Sequence, residues 1–159
     1  MIELIKKIDV KVYCLIILLA LFFTMFAFSN QNGIESKRLS RTVTLMITEN
    51  VTEIKNLNSI EKENITKRIE AVIRKLAHFT MYALMGIFAY LLVKTEESTN
   101  IKAFLIACLI CIIYASIDEI HQLFVVGRSA RITDVMIDTL GSFFGMIVFS
   151  TIERVIKKV

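Results

Sequence analysis

Four long apolar stretches are the feature that most limits how this chain can fold. Residues 12–34, 76–93 and 103–117 contain no Asp, Glu, Lys or Arg, and residues 135–152 contain only Asp138. A helix needs roughly 20 mostly apolar residues to cross about 30 Å of hydrocarbon. The shortest stretch reaches that length if its helix begins two residues earlier. We predict membrane-spanning helices at about 10–29, 76–93, 101–118 and 133–152.

The composition agrees with a membrane protein. Apolar residues make up 55% of the 159, and the mean hydropathy is +0.64. A soluble domain of this size has too little interior for so many apolar side chains. The chain lacks a glycine-rich phosphate loop and a basic–aromatic alternation, so we expect no nucleic-acid partner. The predicted fold is all-α, a four-transmembrane-helix bundle whose partner is the lipid bilayer.

The long loop between the first two spans, residues 33–75, has helical periodicity of its own. Its apolar residues recur at three- and four-residue spacing in two sets, and its charges are mixed. This pattern predicts amphipathic helices that lie on the membrane surface or cap the bundle, with a solvated charged face. The two sets are Leu39, Val43, Met46, Ile47, Val51 and Ile54, then Ile65, Ile69, Val72 and Ile73.

The orientation follows from the basic residues that flank the spans. Four spans place both termini on one side, and both termini are basic, with Lys6, Lys7 and Lys11 at one and Lys157 and Lys158 at the other. The N-terminal flank usually dominates topology, although the loop 33–75 is also rich in Lys and Arg. We predict cytoplasmic termini in the bacterial cytoplasmic membrane, with the loop outside.

Polar residues gather at one end of the predicted bundle. The end of span one, the start of span two, the end of span three and the start of span four are all polar, and alternating helix directions bring these four places to one side. Helical spacing arranges their side chains in stripes. The stripes are Lys75, His78 and Tyr82 with Arg74 beside them, Tyr114 and Asp118 with either His121 or Gln122, and Asp134, Asp138, Gly141 and Gly145.

Two features of the fourth span bear on this polar end. The GxxxG pattern of Gly141 and Gly145 lets another helix approach closely. Asp138 is an ionisable group within a span, which costs roughly 2.5–3.5 kcal/mol on insertion scales and normally faces a partner or water. We therefore predict a tightly packed helix with Asp138 facing inward. A network that only joins the helices together is the alternative role for this acid.

Several motifs together resemble the VanZ-like family. The resemblance covers nearly the whole chain, as a single integral membrane domain over 1–159. The matching residues are Phe28 to Gln31, Arg74 to Phe79 with Tyr82 and Leu84, Tyr114 to Phe124, Gly127-Arg128, Ile132 to Val135, Gly141 and Gly145. The chain differs from the family pattern at Val126, where proline is common, and at Asp138, where asparagine is common.

The resemblance implies a role in reduced susceptibility to teicoplanin-type lipoglycopeptides, but no settled reaction. Three functions stay open: binding an envelope lipid, cell-wall precursor or lipoglycopeptide; intramembrane catalysis on a phosphate-bearing envelope lipid; and non-catalytic partnership with another membrane protein. Arginine suits bidentate phosphate contact, which favours the first. The candidate ligand-binding residues are Arg74, Lys75, His78, Tyr82, Asp118, Glu119, Gln122, Arg128, Asp134 and Asp138.

Catalysis would require a general base and a residue that orients it. His78 or His121 is the candidate base, and Asp118 or Glu119 its partner. A metal held by these four residues would need closure across helices and lacks a HExxH-type spacing, so we expect no metal and no cofactor. Cys108 and Cys111 have redox-like spacing but lie in mid-span, and they are interpreted as buried apolar residues.

Overall fold

The computed structural model describes residues 2–51, 54, 57–95 and 99–157, without the side chains of residues 2–8, 33–37 and 39. Five helices make up this part of the chain, which contains no strand. Leu39 of the predicted amphipathic set, and Lys6, Lys7 and Lys158 of the basic flanks, lie outside the described side chains. The helices are α1 (Ile2–Ser29), α2 (Gly33–Thr48), α3 (Ser59–Lys94), α4 (Asn100–Gln122) and α5 (Ile132–Ile156).

Four of the helices are long and apolar enough to cross a membrane, which confirms the predicted number. The qualifying segments are Asp9–Ser29 and the whole of α3, α4 and α5. Large apolar side chains on these helices point outward, for example Phe23 at 74% and Leu109 at 56% exposure. Exposing such side chains to water costs free energy, whereas exposing them to hydrocarbon does not. A lipid bilayer around the helices therefore explains why they point outward.

Helix α3 is longer than predicted and forms the centre of the bundle. Its 36 residues correspond to about 54 Å at 1.5 Å per residue, well beyond the thickness of the hydrocarbon. The apolar set at 65–73 is therefore the first half of α3, continuous with span two. Asn58 begins the helix by accepting a hydrogen bond from the Glu61 backbone N–H through its side chain. Helices α1, α2, α4 and α5 all pack against α3.

Glycines bring α3 and α5 into backbone contact. An ideal Cβ added at Gly141 would lie 2.4 Å from the Phe79 carbonyl oxygen, and one at Gly145 would lie 2.1 Å from that of Ala83. Both distances are too short for any side chain, so the glycines allow an approach that no other residue permits. The predicted close packing of span four is confirmed. Asp138 is only 2% exposed, so it faces inward as expected.

Helix α2 packs against the first half of α3 through polar residues. Ser40, Thr44 and Thr48 form its buried stripe, opposite Thr66 and Glu70 of α3, which are also buried. The Thr44 hydroxyl donates to the Ser40 carbonyl, so burial leaves it with a partner. A helix is thus present in the loop, and its inward face is polar.

Candidate functional site

A polar cavity opens at the end of the bundle where the sequence concentrates its ionisable residues. Its volume is about 290 Å³, and α3, the end of α4, α5 and the connection between α4 and α5 form its walls. Four cationic and three acidic side chains line it. The polar and charged lining residues are Arg74, Lys75, His78, Glu119, Gln122, Arg128, Ser129, Arg131, Asp134 and Asp138.

Eight of the ten predicted ligand-binding residues line this cavity. The other two, Tyr82 and Asp118, lie in the bundle interior at 0% and 2% exposure. Polarity at the ends of spans was enough to find the cavity, because antiparallel helices bring alternate ends together.

Lys75 forms an ion pair across the cavity wall. Its Nζ lies 2.9 Å from Asp134 Oδ1, joining α3 to the first turn of α5. The Lys75 side chain is 45% exposed and that of Asp134 32%. An exposed pair of this kind contributes little to stability, about 0–1 kcal/mol. Lys75 therefore remains free to exchange Asp134 for another anion.

Arg128 donates hydrogen bonds to backbone carbonyls near the end of α1, a contact that the sequence did not suggest. Its Nη2 donates to the Phe28 carbonyl at 2.8 Å and its Nε to the Gln31 carbonyl at 3.2 Å. Phe28 lies in the last turn of α1 and Gln31 follows the helix, so Arg128 joins the α4–α5 connection to the end of α1. Gly127, with a φ of 77°, turns the chain there. Burial, and then the charge of Arg74, lowers the pKa of the Arg128 guanidinium, which stays a cation at neutral pH.

Glu119 holds the start of α5. Its Oε1 accepts a hydrogen bond from the backbone N–H of Arg131, the residue that precedes the helix. The bond fixes the α4–α5 connection against the end of α4. The sequence offered Asp118 or Glu119 as the partner of a candidate catalytic histidine, and in the structure Glu119 bonds to the Arg131 backbone.

Asp118 lies beneath the cavity with a ring of polar neighbours. Its Oδ2 accepts from the Ser29 hydroxyl at 2.8 Å and from the Gln122 amide at 3.3 Å. Its Oδ1 is buried and has no hydrogen-bond partner among the described residues. His78 lies nearby and contributes Nδ1, 3.7 Å from Asp138 Oδ1. Three helices thus bring a histidine and two aspartates together.

The two histidines are separated. His78 lines the cavity, whereas the His121 ring packs on Phe26 of α1 with the ring centroids 4.7 Å apart. Helical spacing allowed either His121 or Gln122 to share the face of Asp118, and the structure selects Gln122. Of the two candidate bases, only His78 reaches the cavity.

Ser29 and Arg131 belong to the site although the candidate set omitted them. Ser29 is fully buried and donates to Asp118, and Arg131 lines the cavity. The polar end of span one in Phe28-Ser29-Asn30-Gln31 was the available signal for Ser29. Arg131 was visible as a cation at the start of span four.

Comparison with known proteins gives one match. No curated protein and no solved structure matches the chain significantly. The family model described as VanZ/LLP1 matches residues 12–153, a stretch that includes the apolar part of every span and every residue of the cavity. With most of its length covered by that model, the chain belongs to the VanZ/LLP1 family.

Proposed function

We propose that this protein binds the phosphate-bearing headgroup of an envelope lipid or lipid-linked cell-wall precursor in the cavity at the end of the bundle. The observation that carries the proposal is the charge of the cavity. Arg74, Lys75, Arg128 and Arg131 outnumber the acids Glu119, Asp134 and Asp138 in a cavity that opens beside membrane-facing helices. An anionic headgroup with an apolar tail matches both surfaces.

The state of Arg74 supports an anionic ligand. Its Nε is buried without a hydrogen-bond partner among the described residues, and its Nη2 makes only a 3.4 Å contact with the Ser40 hydroxyl. Arg74 lines the bundle-end cavity and also a second one between α2 and α3. A planar guanidinium of this kind recognises phosphate through two parallel hydrogen bonds.

The membrane orientation is part of the proposal. With the termini in the cytoplasm of a bacterial cell, the cavity and α2 face outward, where lipoglycopeptides and lipid-linked precursors are found. Val43, Met46 and Ile47 of α2 are 44–63% exposed, and Met46 lies opposite the buried polar stripe. This apolar face suits the outer leaflet surface. Occupation of the cavity would then lower susceptibility to teicoplanin-type compounds.

Lipid binding tests the proposal directly. Purified protein in detergent is titrated with a fluorescent polyprenyl phosphate and, in parallel, with the matching polyprenol. We expect the phosphate to bind at least tenfold more tightly, because only it engages the cations. Arg74→Gln should weaken phosphate binding about tenfold or more, since a charge-assisted bidentate contact contributes about 1.5–3 kcal/mol.

Lys102→Gln is the matched control, because Lys102 is exposed at the opposite end of the bundle. It should bind the phosphate as the unaltered protein does. Equal affinity for phosphate and alcohol, or unchanged binding in Arg74→Gln, would contradict the proposal. A parallel measurement of teicoplanin susceptibility in cells that produce each variant connects binding to resistance.

Hydrolysis of the same lipid is the second candidate function, and the position of His78 favours it. In that reaction water adds to phosphorus and His78 takes a proton from the water. The bond from phosphorus to the leaving oxygen then breaks, and the protonated His78 gives that proton to the leaving oxygen. Release of inorganic phosphate from the bound lipid, abolished in His78→Ala, would establish an enzyme. Binding without release would leave the protein as a binder.

A further inference from the structure

The strongest feature beside the cation-rich wall is a group of three side chains, a part-buried histidine and two buried aspartates, which we name the buried triad. It consists of His78 on α3, Asp118 on α4 and Asp138 on α5. One nitrogen of the histidine and one oxygen of each carboxylate all lie within 4.8 Å of one another. The three residues come from three helices, so the bundle itself sets their spacing.

In the part of the chain that the structure describes, neither carboxylate of the buried triad pairs with a lysine or arginine, and the basic group beside them is the imidazole of His78, whose Nδ1 lies 3.7 Å from Asp138 Oδ1. Asp118 and Asp138 are each 2% exposed. Among the described side chains, no Lys or Arg nitrogen lies within 4.0 Å of either carboxylate; Lys75 pairs with Asp134, and the other ion pairs of these cations lie elsewhere. Asp118 receives only two neutral donors, Ser29 and Gln122. Two buried acids without a counter-charge cost several kcal/mol each if ionised.

A second observation also indicates a missing ligand. Tyr82 lies one helical turn after His78 on the same face of α3, and it is fully buried. Its hydroxyl has no hydrogen-bond partner among the described residues, and it interacts electrostatically with both Asp118 and Asp138. Buried hydroxyls normally have a partner. The Tyr82 hydroxyl and the unpartnered Oδ1 of Asp118 are therefore two polar atoms at the buried triad whose partner is not protein.

We propose that the buried triad binds one divalent cation, of the Mn²⁺ or Zn²⁺ class. One imidazole nitrogen with two carboxylate oxygens is a mixed donor set that suits these ions better than Ca²⁺. The charge of the cation compensates both acids, and a water held on it supplies a partner for Tyr82. From the sequence we expected no metal, having considered Glu119 and His121; the structure replaces both with Asp138.

The three donor atoms must draw together to hold the ion. Ligand atoms lie about 2.0–2.2 Å from such a metal, so two of them in a tetrahedral site lie about 3.4 Å apart. The present limit of 4.8 Å is longer than this, and rotation of the three side chains would supply the closure. Because the buried triad lies beside the cavity, the ion would also face a bound anion. The metal proposal goes beyond lipid binding and does not depend on it.

Manganese titration of the purified full chain tests the site. The protein in detergent is stripped of metal with a chelator and exchanged into chelator-free buffer. It is then titrated with Mn²⁺, and the six-line electron paramagnetic resonance signal of free Mn²⁺ is followed. We expect one saturable Mn²⁺ per chain, displaced by Zn²⁺. Asp118→Asn and Asp138→Asn should each weaken Mn²⁺ binding tenfold or more. Glu153→Gln, at the opposite end of the bundle, should bind as the unaltered protein does.

Pulsed electron paramagnetic resonance on the unaltered protein tests the proposal even if a variant fails to fold. Bound Mn²⁺ should show magnetic coupling to a histidine nitrogen, and His78→Gln should remove that coupling. Absence of saturable Mn²⁺ binding, absence of nitrogen coupling, or unchanged affinity in both folded asparagine variants would overturn the proposal. No lipid is present in these measurements, so lipid binding and metal binding succeed or fail separately.

Discussion

Helices α3 and α5 run together through both ends of the bundle, but the acid of α5 that faces α3 is paired differently at each end. At the end away from the cavity, Glu153 of α5 pairs with Lys94 of α3 and also with Lys157, whose Nζ lies 2.7 Å away. At the cavity end, Asp138 of α5 faces His78 of α3 at 3.7 Å. One end is a completed ion-pair network that fastens two helices. At the other end, the buried Asp138 faces a histidine and has no lysine or arginine partner among the described residues, an environment typical of functional sites.

Helices α3 and α5 must keep one register from end to end for both ends to form. The largest expected loss of stability would therefore come from breaking that register. Gly145→Val places a branched side chain where even a Cβ would lie 2.1 Å from the Ala83 carbonyl oxygen. We expect the variant to lose about 3 kcal/mol or more, because backbone cannot move aside as a side chain can. Folded yield and thermal unfolding in detergent measure this. Phe144→Ala, at an outward-facing neighbour, is the control and should keep the fold.

The second effect concerns the cavity end. In protein stripped of metal, Asp138→Asn should raise the free energy of unfolding by about 1–3 kcal/mol, because it removes a buried carboxylate that faces a histidine and has no lysine or arginine partner in the described part of the chain. Thermal unfolding with and without Mn²⁺ measures the change, and the rise that Mn²⁺ gives the unaltered protein should be largely lost in the variant. A clear loss of stability in metal-free Asp138→Asn would show that this acid fastens the helices as Glu153 does.

The smallest change in the free energy of unfolding is expected at the Glu153 end of the bundle, and there the substitution should be destabilising. Glu153→Gln should lower the free energy of unfolding by about 0.5–1 kcal/mol, since it removes two partly exposed ion pairs. This loss of stability should be smaller at high salt, because salt screens such ion pairs. Thermal unfolding at low and high ionic strength makes this measurement. A gain of stability in Glu153→Gln would remove the contrast between the two ends.

The sequence predicted most of the fold because its signals were local. Uncharged stretches predicted the spans, and the glycines of span four predicted a close helix contact, which α3 provides. The length of α3 was underestimated because hydropathy detects only the part that crosses lipid. Residues 59–75 of α3 include many charged residues, and this part of the helix is stabilised by its N-cap and by contact with α2.

The site was predicted less completely, because periodicity assigns a residue to a face without fixing the rotation of one helix relative to the next. Asp118 therefore had two candidate neighbours on its own helix, and only the packed bundle turns Gln122 to it and His121 to Phe26. Arg128 lies in a connection without periodicity. Its bonds to the end of α1 depend on the turn at Gly127, which no spacing rule predicts.

The unbroken length of α3 has a mechanical consequence. One continuous hydrogen-bonded rod carries the residues that α2 packs against, then Lys75 and His78, then Lys94 at the far end. A rod of this kind has no hinge at which a displacement could be absorbed. A displacement of the half of α3 that contacts α2 would therefore be transmitted as tilt or rotation to the side chains of the cavity, while the Lys94–Glu153 pair joins the far end of α3 to α5.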